Sequence, residues 1–235
     1  MQKYYFTITL ILGLIIGITS CTKDESTTQN QVVARPTVPL QDGEVRIGTQ
    51  VWMTKNLNVS RYRNGDPIPQ VTNQTQWDNL TTGAWCYYNN NPANGTIYGK
   101  LYNWYAVNDP RGLAPQGWHV PSDTEWTILT NFLGGLDMAG GKLKAIGTLE
   151  GGTGLWGVPN VEGTNTSGFT GLPGGFRYYN GPISFYLIST AGYWWSSSEY
   201  EISNAWSRYV DTNTSYTFEE HYGKLTGFSV RCVKN

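Results

Sequence analysis

An α+β domain is what the sequence predicts, on three observations: a strand pair at Val45 to Met53, one well-capped helix beginning at Ser122, and strand-like segments from Gly192 onward. Val45-Arg46-Ile47 and Val51-Trp52-Met53 flank Gly48-Thr49-Gln50, and Leu57 and Val59 continue the alternation, so a hairpin opens the domain. From Asn64 to Gly99 turn formers dominate (Asn64-Gly65-Asp66-Pro67, Asn89-Asn90-Asn91-Pro92, Asn94-Gly95). That predicts irregular backbone which Trp77, Trp85, Tyr87 and Tyr88 must cover. Ser122 with Glu125 three residues on makes a capping box after Pro121, and Gly134-Gly135 ends the helix. Trp126, Leu129, Phe132 and Leu133 then form its core face. A second short helix is expected from Asp137 to Ala145, with Leu143 inward. From Gly147 to Gly181 glycine is too dense for regular elements, which predicts a long structured loop region. Beyond it, Gly192 to Ser197, Ala205 to Asp211, Ser215 to Glu219 and Phe228 to Val233 read as an antiparallel sheet. Its last strand is expected to close against the first.

The chain has 235 residues, 14% of them charged, and a formal net charge of -1, which excludes a disordered polyelectrolyte and a basic nucleic-acid binder. Aromatics make up 14%, with 10 Trp and 16 Tyr, so the chain packs on rings rather than on charge. Phe6 to Ile18 is nearly all apolar, with Lys3 before it, as in a secretory signal. It closes with Ile18-Thr19-Ser20-Cys21, similar to a bacterial lipobox. Residues 1–20 are then a lipoprotein signal peptide, Cys21 is acylated, and residues 21–43 are a flexible tether rich in Thr, Gln, Val and Pro. Thr22-Lys23-Asp24-Glu25 resembles the export signal of outer-membrane lipoproteins of Bacteroidetes-type bacteria. The expected location is the outer membrane, facing the cell surface. The folded domain is residues 44–235.

A longer likeness runs through Ile47-Gly48-Thr49-Gln50-Val51-Trp52-Met53-Thr54-Lys55-Asn56-Leu57-Asn58, Tyr98-Gly99-Lys100-Leu101-Tyr102-Asn103-Trp104-Tyr105-Ala106-Val107 and Gly117-Trp118-His119-Val120-Pro121-Ser122. It continues in Leu172-Pro173-Gly174-Gly175-Phe176-Arg177, Tyr193-Trp194-Trp195-Ser196-Ser197-Ser198 and Gly227-Phe228-Ser229-Val230-Arg231-Cys232-Val233. These segments resemble the Fibrobacter succinogenes major paralogous domain over nearly all of residues 44–235. The resemblance implies a secreted or lipid-anchored surface protein and no particular reaction. More distantly the pattern is similar to the C-type-lectin-like fold and to formylglycine-generating enzymes. The calcium-ligating triplets of the former and the redox cysteine pair of the latter are missing, so neither contributes a ligand residue.

Chemistry is sparse. His119 lies beside the helix start and reads as structural, and His221 reads as surface. Zinc needs clustered Cys and His, which the sequence lacks, and no carboxylate pair stands out for acid/base work. No metal, cofactor or catalytic residue is therefore expected. The function expected is a surface-displayed binding or adhesion module for carbohydrate or another extracellular polymer, on a loop face carrying Trp156, Asn160, Asn165, Tyr178, Tyr179 and Asn180. Loop packing is the competing reading of those six residues. A structural envelope protein without a small ligand is the alternative function, and an enzyme related to formylglycine-generating enzymes a further one. With Cys21 carrying lipid, only Cys86 and Cys232 remain. A disulfide between them is expected in an oxidising compartment, two buried reduced thiols being the alternative.

Overall fold

The computed structural model describes residues 40–181 and 184–235. The signal peptide, Cys21 and nearly all of the tether lie outside the described residues. In chain order the elements are β1 (Glu44–Ile47), β2 (Gln50–Met53), α1 (Gln74–Asp78), β3 (Trp85–Cys86), α2 (Pro92–Tyr98), β4 (Leu101–Tyr102), α3 (Trp104–Val107) and β5 (Trp118–His119). They continue with α4 (Asp123–Phe132), α5 (Leu136–Leu143), β6 (Gly174–Arg177), β7 (Phe185–Ile188), β8 (Ala191–Glu199), β9 (Asn204–Asp211), β10 (Phe218–Gly223) and β11 (Val233–Lys234). This is an α+β arrangement of antiparallel-rich sheets.

The opening hairpin pairs Val45 with Trp52 and Arg46 with Val51. Its sheet runs in the order β1-β2-β11-β5, because Val233 pairs with both Trp52 and His119. The two ends of the domain therefore close on each other, through β2 rather than β1. The second sheet runs β10-β9-β8-β6-β7. The expected strand at Ser215 to Glu219 lies later in the chain, as β10. The expected strand at Phe228 to Val233 is extended without being a continuous ladder: Phe228 bridges Tyr102, Ser229 bridges Trp194, and only Val233 and Lys234 enter a sheet. Its backbone polar groups are satisfied by different neighbours in turn.

Helix α4 carries the expected capping box, Ser122 accepting from the Glu125 amide and Glu125 from the Ser122 amide. Trp126, Leu129 and Leu133 are buried, but Phe132 is 64% exposed. At about 100° per residue Phe132 sits roughly 120° around from Trp126, at the edge of the stripe, and its ring lies over Gly48, where a Cβ would come within 2.9 Å of it. Helix α5 spans Leu136–Leu143 instead of Asp137 to Ala145. Its Gly140 lets the loop carbonyl of Tyr216 approach to where a Cβ would sit only 2.0 Å away. The stretch read as turn formers, Asn64 to Gly99, holds two short helices, α1 and α2, and a third, α3, follows it. Asn73, Asn91 and Asn103 cap them through their side-chain oxygens, so these asparagines start helices as well as turns.

Three apolar clusters form the core. One surrounds Trp104, Tyr193, Trp195, Phe228 and Val230, a second joins Trp52, Trp126, Trp156, Phe169 and Trp194 beneath α4 and α5, and a third holds Trp77, Cys86, Tyr88 and Leu101. The expected disulfide is not formed. Cys86 and Cys232 are free and fully buried, one in the third cluster and the other in the first. Apolar flanks told that both thiols face a core but not that the cores differ.

Buried cations bind the loops to this core. The Lys144 ammonium donates to the carbonyls of Val161, Asp211 and Thr214 at 2.7, 2.7 and 2.8 Å, using all three of its protons, and burial pushes its pKa down to about 8. Arg177 donates to the carbonyls of Val71, Thr72 and Asn73 while its guanidinium lies 4.2 Å over Trp77. Arg231 donates to Asn56 Oδ1 and to the carbonyls of Met53, Phe169 and Thr170. Arg208 joins Asp123 on α4 to Glu219 on β10 at 2.7 and 2.6 Å. Loops without ladders leave carbonyls unpaired, and a buried cation with several donors satisfies them where a neighbouring strand would.

Candidate functional site

The five-stranded sheet places aromatic rings in a row. Residues directly opposite on paired strands share a face. Tyr193 on β8 opposes Tyr209 on β9, Tyr209 opposes Phe218 on β10, and Phe176 on β6 opposes Tyr186 on β7. The rings follow this register. Phe218 stacks on Tyr209 at 4.4 Å and 8°, Tyr209 on Tyr193 at 4.8 Å and 23°, and Phe176 on Tyr186 at 5.5 Å and 21°. Phe176 meets Tyr193 edge-on at 5.0 Å, Tyr216 lies 6.0 Å from Phe218, and Tyr178 lies 6.4 Å from Tyr186. An aromatic strip thus crosses all five strands.

Its exposure is uneven. Tyr216 at one end is 46% exposed and Tyr178 at the other 40%, whereas Tyr193 in the middle is 5% exposed and backed by Phe228 at 4.9 Å. Rings stacked on one another cover each other's faces, so the half-buried members show edges and hydroxyls, and open ring surface is concentrated at the two ends. Burial first, and then the neighbouring Tyr222 and Glu220, push the Tyr209 phenol up to about 12. Burial raises Tyr193 further still. Both phenols stay protonated near neutrality, and that of half-buried Tyr209 can donate to hydroxyl, ether or carboxylate oxygens.

Of the six loop residues expected to bind, Tyr178 alone stands open in the strip. Trp156 is fully buried, its indole N–H donating to the Gly171 carbonyl at 3.1 Å. Asn160 is buried with φ 44° and donates to the carbonyls of Ala145 and Gly147. Asn165 closes its own turn, accepting from the Thr170 amide at 2.7 Å and donating to the Thr170 hydroxyl at 3.1 Å. All three are used in one way: a loop without ladders uses its Asn and Trp side chains to satisfy its own carbonyls and amides. Tyr179 is half-buried, its ring 5.1 Å from Tyr178 and its hydroxyl over Gly223, where a Cβ would clash at 2.1 Å. Asn180 holds a left-handed turn, its amide donating to Asp78.

The polar groups nearest to a catalytic arrangement are engaged elsewhere. His119 is held between Asn235 Oδ1 and Glu125 Oε1, both at 2.7 Å, and Glu125 is the capping residue of α4. His221 stacks on Tyr200 at 3.8 Å on the opposite face of the sheet. Among the described residues no group of three or more His, Cys, Asp or Glu side chains could hold a metal ion, and no helix is long and apolar enough to cross a membrane.

The model of the Fibrobacter succinogenes major domain matches residues 45–234. The chain belongs to that family. No curated protein and no solved structure matches it. The matched span runs from β1 to β11, so the aromatic strip, the closing strand and the buried cations all lie within the Fibrobacter succinogenes major domain.

Proposed function

We propose that this protein is a surface-exposed outer-membrane lipoprotein whose domain binds carbohydrate chains without chemically altering them. The observation that carries this reading is the aromatic strip, with an open tyrosine at each end and protonated phenols between. Sugar rings stack their C–H faces on aromatic surface while their hydroxyls exchange hydrogen bonds with phenols. The closure of the opening hairpin on the last strand, with long loops above, supports a C-type-lectin-like arrangement. The lipobox-like Ile18-Thr19-Ser20-Cys21 supports the anchor.

Two experiments test this reading. Retention on insoluble polysaccharides and on a glycan array should fall in the Tyr178→Ala, Tyr216→Ala double variant. Each ring lost costs about 1 kcal/mol of stacking, so the combined loss is roughly thirtyfold. Both rings are exposed, so the thermal midpoint should scarcely move. Undiminished retention would remove the strip from the binding reading. For the anchor, intact-mass analysis should find acyl chains on Cys21, and Cys21→Ala should move the protein into the soluble fraction. A lipid-free mature protein would refute the anchor without touching the binding face.

A further inference from the structure

A cleft of about 320 Å³ lies away from the strip, between the turn that leads into β1 and the segment after β2. Met53 and Leu57 contribute its apolar lining, half-buried Trp118 a flat ring, and Asn58, Lys55 and Asp42 its polar groups. The volume is near the lower end of the range of small-molecule sites, which suits one ring-sized group.

The charges around it are unbalanced. Glu44 is neutralised by Lys234 at 2.7 Å, a contact that also lowers the Glu44 pKa. Behind the wall, the Lys100 ammonium donates to Asn58 O and Oδ1 at 3.1 and 2.7 Å. The Arg231 guanidinium donates to Asn56 Oδ1 at 2.8 Å and to the Met53 carbonyl at 2.9 Å. Among the described residues neither cation has a carboxylate within ion-pair distance, and neither does Lys55. Lys55 is thus the one cation that lines the cleft, with the buried Lys100 and Arg231 behind its wall, and Asp42 is the lining carboxylate without an ion-pair partner.

We propose that this cleft binds a single acidic sugar residue of the uronic acid class. The pyranose ring lies on Trp118, its carboxylate meets Lys55 in the field of Lys100 and Arg231, and its hydroxyls donate to Asp42. A neutral sugar would leave the positive field unanswered. No helix N-terminus stands among the lining residues to receive a phosphate. The inference does not depend on the strip, and the two sites can fail separately.

The test is titration of the purified protein with glucuronic acid, with glucose as the neutral control and acetate as the bare carboxylate, read by calorimetry and by the Trp118 indole resonance. Glucuronic acid should perturb Trp118 and bind at least tenfold more tightly than either control at neutral pH. Lys55→Gln, at an exposed position, should weaken it roughly tenfold with the fold intact, and the Tyr178→Ala, Tyr216→Ala variant should bind it as well as wild type. Equal binding of glucose, equal binding of acetate, an unaffected Lys55→Gln variant, or no saturable binding at millimolar concentration would each overturn the proposal.

Discussion

Replacing Arg231 with Met is expected to cost on the order of 5 kcal/mol, enough to unfold a domain of ordinary stability. The side chain is fully buried and stands at the centre of the fold. It joins Asn56, after β2, to the carbonyls of Phe169 and Thr170 in the glycine-rich region, and its guanidinium lies 4.2 Å over the Phe169 ring. Asn56 Oδ1 also accepts from the Trp194 indole at 2.8 Å, so the same oxygen fixes β8. Met would fill much of the volume yet leave three carbonyls without donors, each costing about 1–3 kcal/mol when buried. Arg231→Lys should lose most of this as well, because one ammonium cannot span a set of acceptors that a planar fork reaches. Urea unfolding of both variants measures the loss, with exposed Arg46→Met on β1 as the neutral control. A shift below about 1 kcal/mol would show that the loops are held by apolar packing alone.

Legibility in the sequence followed the range of the interactions. The Ser122–Glu125 box and the hairpin around Gly48 are local devices, a few residues long, and both stand where residue pattern placed them. Asn73, Asn91 and Asn103 were visible too, but an asparagine before a short apolar run serves a turn and a helix cap equally, and the helices that follow are too short to show a period. The strip was not legible, although its members are. Tyr193, Tyr209 and Phe218 each sit in their own strand, yet they form a row only through the register that backbone pairing sets between those strands, which includes an irregularity between Trp195 and Glu199. The loop residues show the opposite difficulty. Trp156 and Asn160 have the chemistry of sugar binding, and the same chemistry satisfies backbone in a region without ladders. Nothing in composition separates the two uses, whereas burial does. The roles of Arg177 and Arg231 were not legible because their partners are mostly main-chain carbonyls that every residue possesses, and that of Arg208 because Asp123 and Glu219 meet it only in the fold.

Stability is expected to fall steeply above about pH 10, because two buried thiols and several buried phenols keep their protons only while the chain is folded. Burial raises the Cys86 pKa from 9.0 to about 11, against a weaker opposite pull from Arg177. Burial likewise raises Cys232 to about 12, against Arg231 and Arg63. Unfolded, both thiols lose their protons around pH 9, whereas the folded chain retains them, so above that pH the unfolded state binds fewer protons and stability falls. At about 1.4 kcal/mol per pKa unit the two thiols account for a loss on the order of 5 kcal/mol. Tyr62, raised to about 12 chiefly by burial, adds to the decline above pH 10. Lys144 and Arg231 act in the opposite sense: burial lowers their folded pKa values to about 8 and about 9, below the ordinary 10.5 and 12.5, so across those ranges the unfolded chain holds the extra proton and rising pH favours the folded one. Those opposing slopes offset the two thiols up to about pH 10, where the phenols begin to titrate and the net decline sets in. Urea midpoints from pH 7 to 11 would trace the curve. The Cys86→Ala, Cys232→Ala variant should be less stable at pH 8 through lost packing, yet its stability should decline less steeply above about pH 10. Parallel declines in the two proteins would assign the alkaline loss to the phenols, and thiol labelling of native wild type at pH 8 would show that the two cysteines are not sealed from solvent at all.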